Sequence, residues 1–162
     1  MTKRKIAKIL LKSAHATKAY AGRLAVDVVR KTVPQRETAT VIGFVGELGS
    51  GKTTFVQGFA KKLCVKERLS SPTFLIFRSY RIPISRFATV TRRFTRLYHV
   101  DLYRLHSAKD LAPLGFREIL KNPENIVLIE WADKIKKILP KSTRWVILHH
   151  GVREHERMIS IT

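Results

Sequence analysis

The residues most able to do chemistry lie in one stretch, Gly46-Glu47-Leu48-Gly49-Ser50-Gly51-Lys52-Thr53-Thr54. Gly46, Gly51, Lys52 and Thr53 satisfy the spacing G-x-x-x-x-G-K-[ST]. Glycines let a loop turn its backbone N–H groups onto phosphate oxygens, and a helix starting near Lys52 aims its positive dipole end at the same charge. The lysine is then expected to reach the β- and γ-phosphates, and the Thr53 hydroxyl to ligate Mg²⁺. All nine residues, Gly46 to Thr54, are candidate nucleotide-binding positions.

A phosphate loop binds; hydrolysis or transfer also needs an acid near the metal and a group that positions the attacking oxygen. Asp101 in "RLYHVDLYRL" and Glu130 in "NIVLIEWADKI" each end an apolar run. Either could hold Mg²⁺, directly or through water. Thr73, in the proline-stiffened "SPTF", stands where nucleotide switches sense a γ-phosphate. His99 precedes Asp101 by two residues, so on a strand both share a face. It reads as a ligand, a base or a buried strand histidine. His149, His150 and His155 show no metal spacing, and Trp131 fits core, stacking platform or partner contact alike. Cys64 lacks a disulfide partner and is expected to be a small buried hydrophobe in a helix.

Positioning these groups requires a layered scaffold. Apolar residues recur every four positions from Ala16 through Tyr20, Leu24 and Val28, which predicts an amphipathic helix over 13–31 capped by Ser13. "TVIGFV" and "NIVLIEW" read as strands buried on both faces, as parallel sheets require. A helix over 53–63 follows the loop, and "TFLIFRSY" and "FTRLYHVDLY" predict two strands joined by a basic hairpin or longer loop over about 78–96. "SAKDLAPLGFREIL" contains short helical pieces, and "RWVILHHG" and "RMISIT" are further strands. The expected fold is α/β: a three-layer, P-loop NTPase-like domain over 1–162. Its sheet is mixed, with parallel core strands and antiparallel additions, and a basic helix occupies the N-terminal 1–33.

Thirty-two Lys and Arg against twelve Asp and Glu give a net charge of +20, which attracts polyanions. Residues 1–36 carry ten basic side chains and one acid, and residues 75–98 carry six arginines and no acid. Lys8 and Lys12 interrupt the N-terminal apolar run too early for a signal peptide. No window approaches the ~20 apolar residues that span a bilayer, so a soluble, cytoplasmic protein with no membrane association is expected.

Taken in order, "GELGSGKTTFVQGFAKKL", "SPTF", "LYHVDLYRL", "LGFREIL" and "IVLIEWADKI" resemble the TsaE (YjeE) family. These are small bacterial ATPases required for threonylcarbamoyladenosine modification of tRNA beside the anticodon. The resemblance implies ATP and Mg²⁺ as cofactors, with Lys52 on phosphate and Thr53, Glu130 and Asp101 about the metal. It also implies a switch role for Thr73, and positions near the nucleotide for Thr17 and Arg157. The implied partner is a TsaB–TsaD pair that performs the transfer, with hydrolysis weak alone and stimulated on docking.

Two stretches are longer than is usual in that family, Val33 to Thr38 and the arginine-rich segment after "SPTF". Arg78, Arg81, Arg86, Arg92, Arg93 and Arg96, interleaved with Phe87 and Phe94, are expected to meet tRNA or an acidic partner surface. The competing readings are a small P-loop kinase, whose arginine-bearing lid this segment could imitate, and a basic RNA-binding module with a vestigial nucleotide site.

Overall fold

The computed structural model describes residues 8–31, 37–72, 74–83 and 94–162. Thr73, most of the extended stretch Val33 to Thr38 and the central part of the arginine-rich segment, 84–93 with Arg86, Phe87, Arg92 and Arg93, lie outside the described residues.

Among the described residues, seven strands form one sheet: β1 (Lys8–Leu11), β2 (Thr40–Val45), β3 (Phe77–Arg81), β4 (Arg96–Asp101), β5 (Asn125–Glu130), β6 (Arg144–His150) and β7 (Arg157–Ile161). Their order is β1-β7-β6-β2-β5-β4-β3. The centre, β6-β2-β5-β4, is parallel, while β3 at one edge and β7 and β1 at the other pair antiparallel. Every residue of β5 is buried, as are the first five of β2. Such strands must be covered on both faces, which is why their sequences read as continuous apolar runs.

The two-residue alternation of a strand divides the core. Ile42, Phe44, Ile126 and Leu128 face helices α1 (Ala14–Lys31) and α2 (Lys52–Lys62), whereas Val41, Val127 and Ile129 face the opposite layer. That layer consists of 3₁₀ segments Ala108–Leu114 and Ala132–Ile138 and the short helix α3 (Phe116–Lys121). Three layers result, as the strand and helix periodicities imply. Phe44 and Phe55 meet beneath α2 with ring centroids 5.3 Å apart, both fully buried. Each such side chain contributes roughly 1.5–3 kcal/mol of burial.

Helix α1 starts where Ser13 predicts: its Oγ accepts the Ala16 N–H at 3.0 Å. Against it α2 packs unusually closely, because Gly58 has no side chain. A Cβ at 58 would lie 2.5 Å from the Lys18 Cα and carbonyl oxygen.

Three local expectations are corrected. Among the described residues of the basic helix placed over 1–33, the helix is Ala14–Lys31 and Lys8–Leu11 is instead a strand paired with β7, Lys8 opposite Ser160 and Leu11 opposite Arg157. The run Ile9-Leu10-Leu11 completes a sheet edge, and the Ser13 cap then starts the helix afresh. The strand expected from Thr73 begins at Phe77, because Leu75 N–H donates to Pro72 O at 2.8 Å and Ile76 turns left-handed at φ 65°. Cys64 is only half-buried. Leu63 takes the last inward position after α2, and the chain reverses at Cys64 with φ 60°.

Among the described residues, no helix is long and apolar enough to cross a membrane.

Candidate nucleotide-binding site

The sheet register brings the chemistry together. Glu130 ends β5 with Phe44 of β2 opposite on one side and Asp101 of β4 on the other. The loop following β2 leads into α2, so phosphate loop and carboxylates meet at the carboxyl ends of three adjacent parallel strands. Open α/β sheets place their ligands at this edge.

Gly51 closes the loop at φ 96°, a conformation that favours glycine, and Lys52 opens α2 directly behind it. Lys52 is buried, and its Nζ donates to the carbonyls of Gly46 at 2.7 Å and Glu47 at 2.8 Å. The same ammonium stands 3.9 Å from the ring centroid of Trp131. Burial pushes the Lys52 ammonium below the ordinary lysine value, opposed by the pull of Glu130, Asp101 and Asp133. Its present partners are neutral carbonyls, the Ser50 hydroxyl at 3.5 Å and a ring face, so an arriving phosphate is the stronger acceptor.

Glu130 is buried and held from two sides. Thr53 Oγ1 donates to its two oxygens at 2.9 and 3.0 Å, and His99 Nε2 stands 2.8 Å from Oε1. His99 is fully buried, and its Nδ1 has no hydrogen-bond partner among the described residues. Donation from Nε2 to Glu130 therefore satisfies the pair and leaves only a ring lone pair unmatched.

Asp101 accepts the Tyr103 N–H at 2.9 Å through Oδ1 and the Ser71 hydroxyl through Oδ2. That second bond ties the segment before Pro72 to the end of β4.

Trp131 resolves into a wall of the site. Its backbone is left-handed at φ 60°, which for a non-glycine residue costs on the order of 1–3 kcal/mol and requires support. Part of that support is Tyr103, whose ring packs 5.3 Å from it. Lys52, Thr53, Ser71, Asp101, Glu130 and Trp131 line one cleft of about 500 Å³. Thr54, Gly49 and Gly51 also border a recess of about 260 Å³, with Thr17, His155 and Arg157 on its far side. Arg157 donates from Nη2 to Gly49 O at 3.0 Å, and the Thr17 hydroxyl donates to Ser13 O at 3.1 Å. Apart from Thr73, the residues chosen from sequence therefore gather around one edge of the sheet.

Ser71, Tyr103 and the His99–Glu130 contact were missed. The spacing of His99 and Asp101 was legible, but the histidine's partner lies on another strand and becomes visible only through the register. His150 approaches the loop through Nε2, 3.2 Å from Leu48 O. Among the described residues, no group of three or more His, Cys, Asp and Glu could hold a metal. A hard cation with oxygen ligands remains suited to the Thr53 hydroxyl and two carboxylates, since Mg²⁺ takes few protein ligands and completes its shell with phosphate and water.

The family model for threonylcarbamoyl adenosine biosynthesis protein TsaE matches residues 11–159. Three proteins named tRNA threonylcarbamoyladenosine biosynthesis protein TsaE are similar to this chain. That of Rickettsia felis is 40% identical over 117 residues, 72% of this chain and 61% of that protein. The Bacillus subtilis protein is 30% identical over 135 residues, 83% of this chain and 77% of its own length. The Treponema pallidum protein is 34% identical over 121 residues, 73% and 81%. The crystal structure of Bacillus subtilus YdiB matches with a TM-score of 0.70 at 25% identity, covering 99% of this chain and 87% of that one. Since the family model spans the chain from the end of the strand before α1, past the phosphate loop and both acids, into β7, the chain belongs to the TsaE family.

Proposed function

We propose that this protein binds ATP with Mg²⁺ in the cleft beneath Trp131, hydrolyses it, and serves tRNA threonylcarbamoyladenosine formation by acting on a TsaB–TsaD pair. The observation that carries the reading is the contiguous set of buried Lys52, Glu130 and His99 with half-buried Thr53, beside a glycine loop at the carboxyl edge of the sheet. It supports phosphate and cation binding together.

In this reading the Lys52 ammonium exchanges the carbonyls of Gly46 and Glu47 for phosphate oxygens. Thr53, released from Glu130, and the carboxylates of Asp101 and Glu130 would hold Mg²⁺, which when bound would neutralise charge on the phosphates. His99 keeps Glu130 oriented while Thr53 turns away. Asp101 is tethered to Ser71, so movement of the segment around Pro72 is felt at the carboxylate. Arg157 braces the loop at Gly49, and Trp131 shields Lys52 from water. Leu48 and Phe74 border the same cleft, and their side chains are 71% and 82% exposed. Apolar side chains so placed suit a partner that closes over the site, which supports hydrolysis that is weak alone and stimulated by the TsaB–TsaD pair.

Tracking the γ-phosphate of labelled ATP tests the proposal. With Mg²⁺ and the partner pair, label should leave as inorganic phosphate, faster than without the pair. Transfer of label to an acceptor would favour the kinase reading instead.

A further inference from the structure

A second concavity lies away from the nucleotide cleft. It is a groove of about 690 Å³ along the outer seam of α1 and α2. Gly58 sits on Lys18 and Gly22 on Lys62, so the helices run side by side in the same sense and the two glycines form a low floor. Lys18, Arg23, Lys61 and Lys62 stand along the walls, all exposed. Among the described residues, none of the four has an acidic partner. The one acid of the groove, Asp27, is 3.6 Å from Lys31, a cation outside it.

Past Val26 and Lys62 the seam continues to Val29 and Arg30. From Lys18 to Arg30 is a helical path of about 18 Å at roughly 1.5 Å per residue. Like charges gathered along one groove repel, and they create a positive potential that a polyanion relieves.

We propose that this groove binds the phosphodiester backbone of RNA. Charge complementarity favours that occupant: the walls present cations at several points along a length that spans successive phosphates. The low glycine floor leaves lysine and arginine stems upright, so their heads reach a strand laid along the seam. The inference rests on the tRNA-modification role proposed above, and it places RNA on the layer that also begins, at Ser13, beside the phosphate loop.

The test compares two quadruple variants of the full chain. One carries Lys18→Gln, Arg23→Gln, Lys61→Gln and Lys62→Gln. The control carries Arg117→Gln, Lys121→Gln, Lys136→Gln and Lys137→Gln, which remove equal charge from the opposite layer. Affinity for a transcribed tRNA that reads an A-starting codon is measured over a salt series without nucleotide or partners, and ATP binding is measured separately. The groove variant should keep ATP binding, lose tRNA affinity, and flatten the dependence of log K on log salt by roughly 3, at about 0.7 per phosphate contact for a single strand. The control should change both less. Equal losses in the two variants would overturn the proposal, since net charge alone would then explain binding. Unchanged tRNA affinity in the groove variant, or no tRNA binding by the wild type, would overturn it too, as would a loss confined to affinity for the partner pair. In each of these cases partner-stimulated hydrolysis by the wild type still stands or falls independently.

Discussion

Glu130 cannot adopt a new rotamer without giving up Thr53 on one side or His99 on the other. Thr53 is the partner expected to leave when nucleotide arrives, so His99 is the residue that fixes the carboxylate at the moment it matters. Groups that orient a metal-binding side chain from behind typically account for about 10–100-fold in affinity or activity. Accordingly, His99→Ala should lower partner-stimulated ATP hydrolysis by about that factor, while nucleotide affinity in Mg²⁺-free buffer, which depends on Lys52 and the loop, stays near wild type. His99→Gln, able to donate an amide N–H toward Glu130, should recover part of the loss. Equal loss of Mg²⁺-free affinity in both variants would show that the histidine merely fills the core. Nothing in the linear chain marks His99 as the partner of Glu130, because 31 residues separate them and only the β4–β5 register aligns them.

At the scale of elements, the seam between α1 and α2 links stability to the site. Gly58 meets the Lys18 backbone, which unlike a side chain cannot swing aside. Alanine is favoured over glycine in a helix interior by about 1 kcal/mol, but overpacking costs about 1–3 kcal/mol, and here the contact would be 2.5 Å. Gly58→Ala should therefore destabilise the protein by up to about 2 kcal/mol in urea unfolding, the upper overpacking cost less the helix gain. It should also weaken ATP binding, since α1 carries Ser13 and Thr17 to the recess beside the loop. A variant more stable than wild type would contradict the packing argument. Elements were readable from sequence where a single periodicity governed them, as in α1 with its Ser13 cap and in the unbroken apolar β2 and β5. They were unreadable where the determinant was remote. Lys8–Leu11 is a strand because β7 offers an edge, and the turn before β3 depends on a left-handed Ile76 that composition does not announce.

For the whole molecule, one sheet separates the two proposed binding sites by layer and edge. Its carboxyl edge collects the phosphate loop, both acids and Trp131, and the α1–α2 groove collects four exposed cations that have no acidic partner among the described residues. The net charge of +20 is thus compatible with a nucleotide site that is itself rich in acids, because the two lie at different places on the fold. The sequence motifs identified the loop and its acids. Their convergence on one cleft follows from the parallel order β2-β5-β4, which motif spacing alone does not contain. The central claim is that Asp101 and Glu130 serve ATP hydrolysis in that cleft. Its most direct test is steady-state ATPase activity of wild type, Asp101→Ala and Glu130→Ala, each with and without the TsaB–TsaD pair. Both substitutions should abolish most of the stimulated turnover while the proteins remain folded. Stimulated turnover at the wild-type rate in both variants would contradict the account.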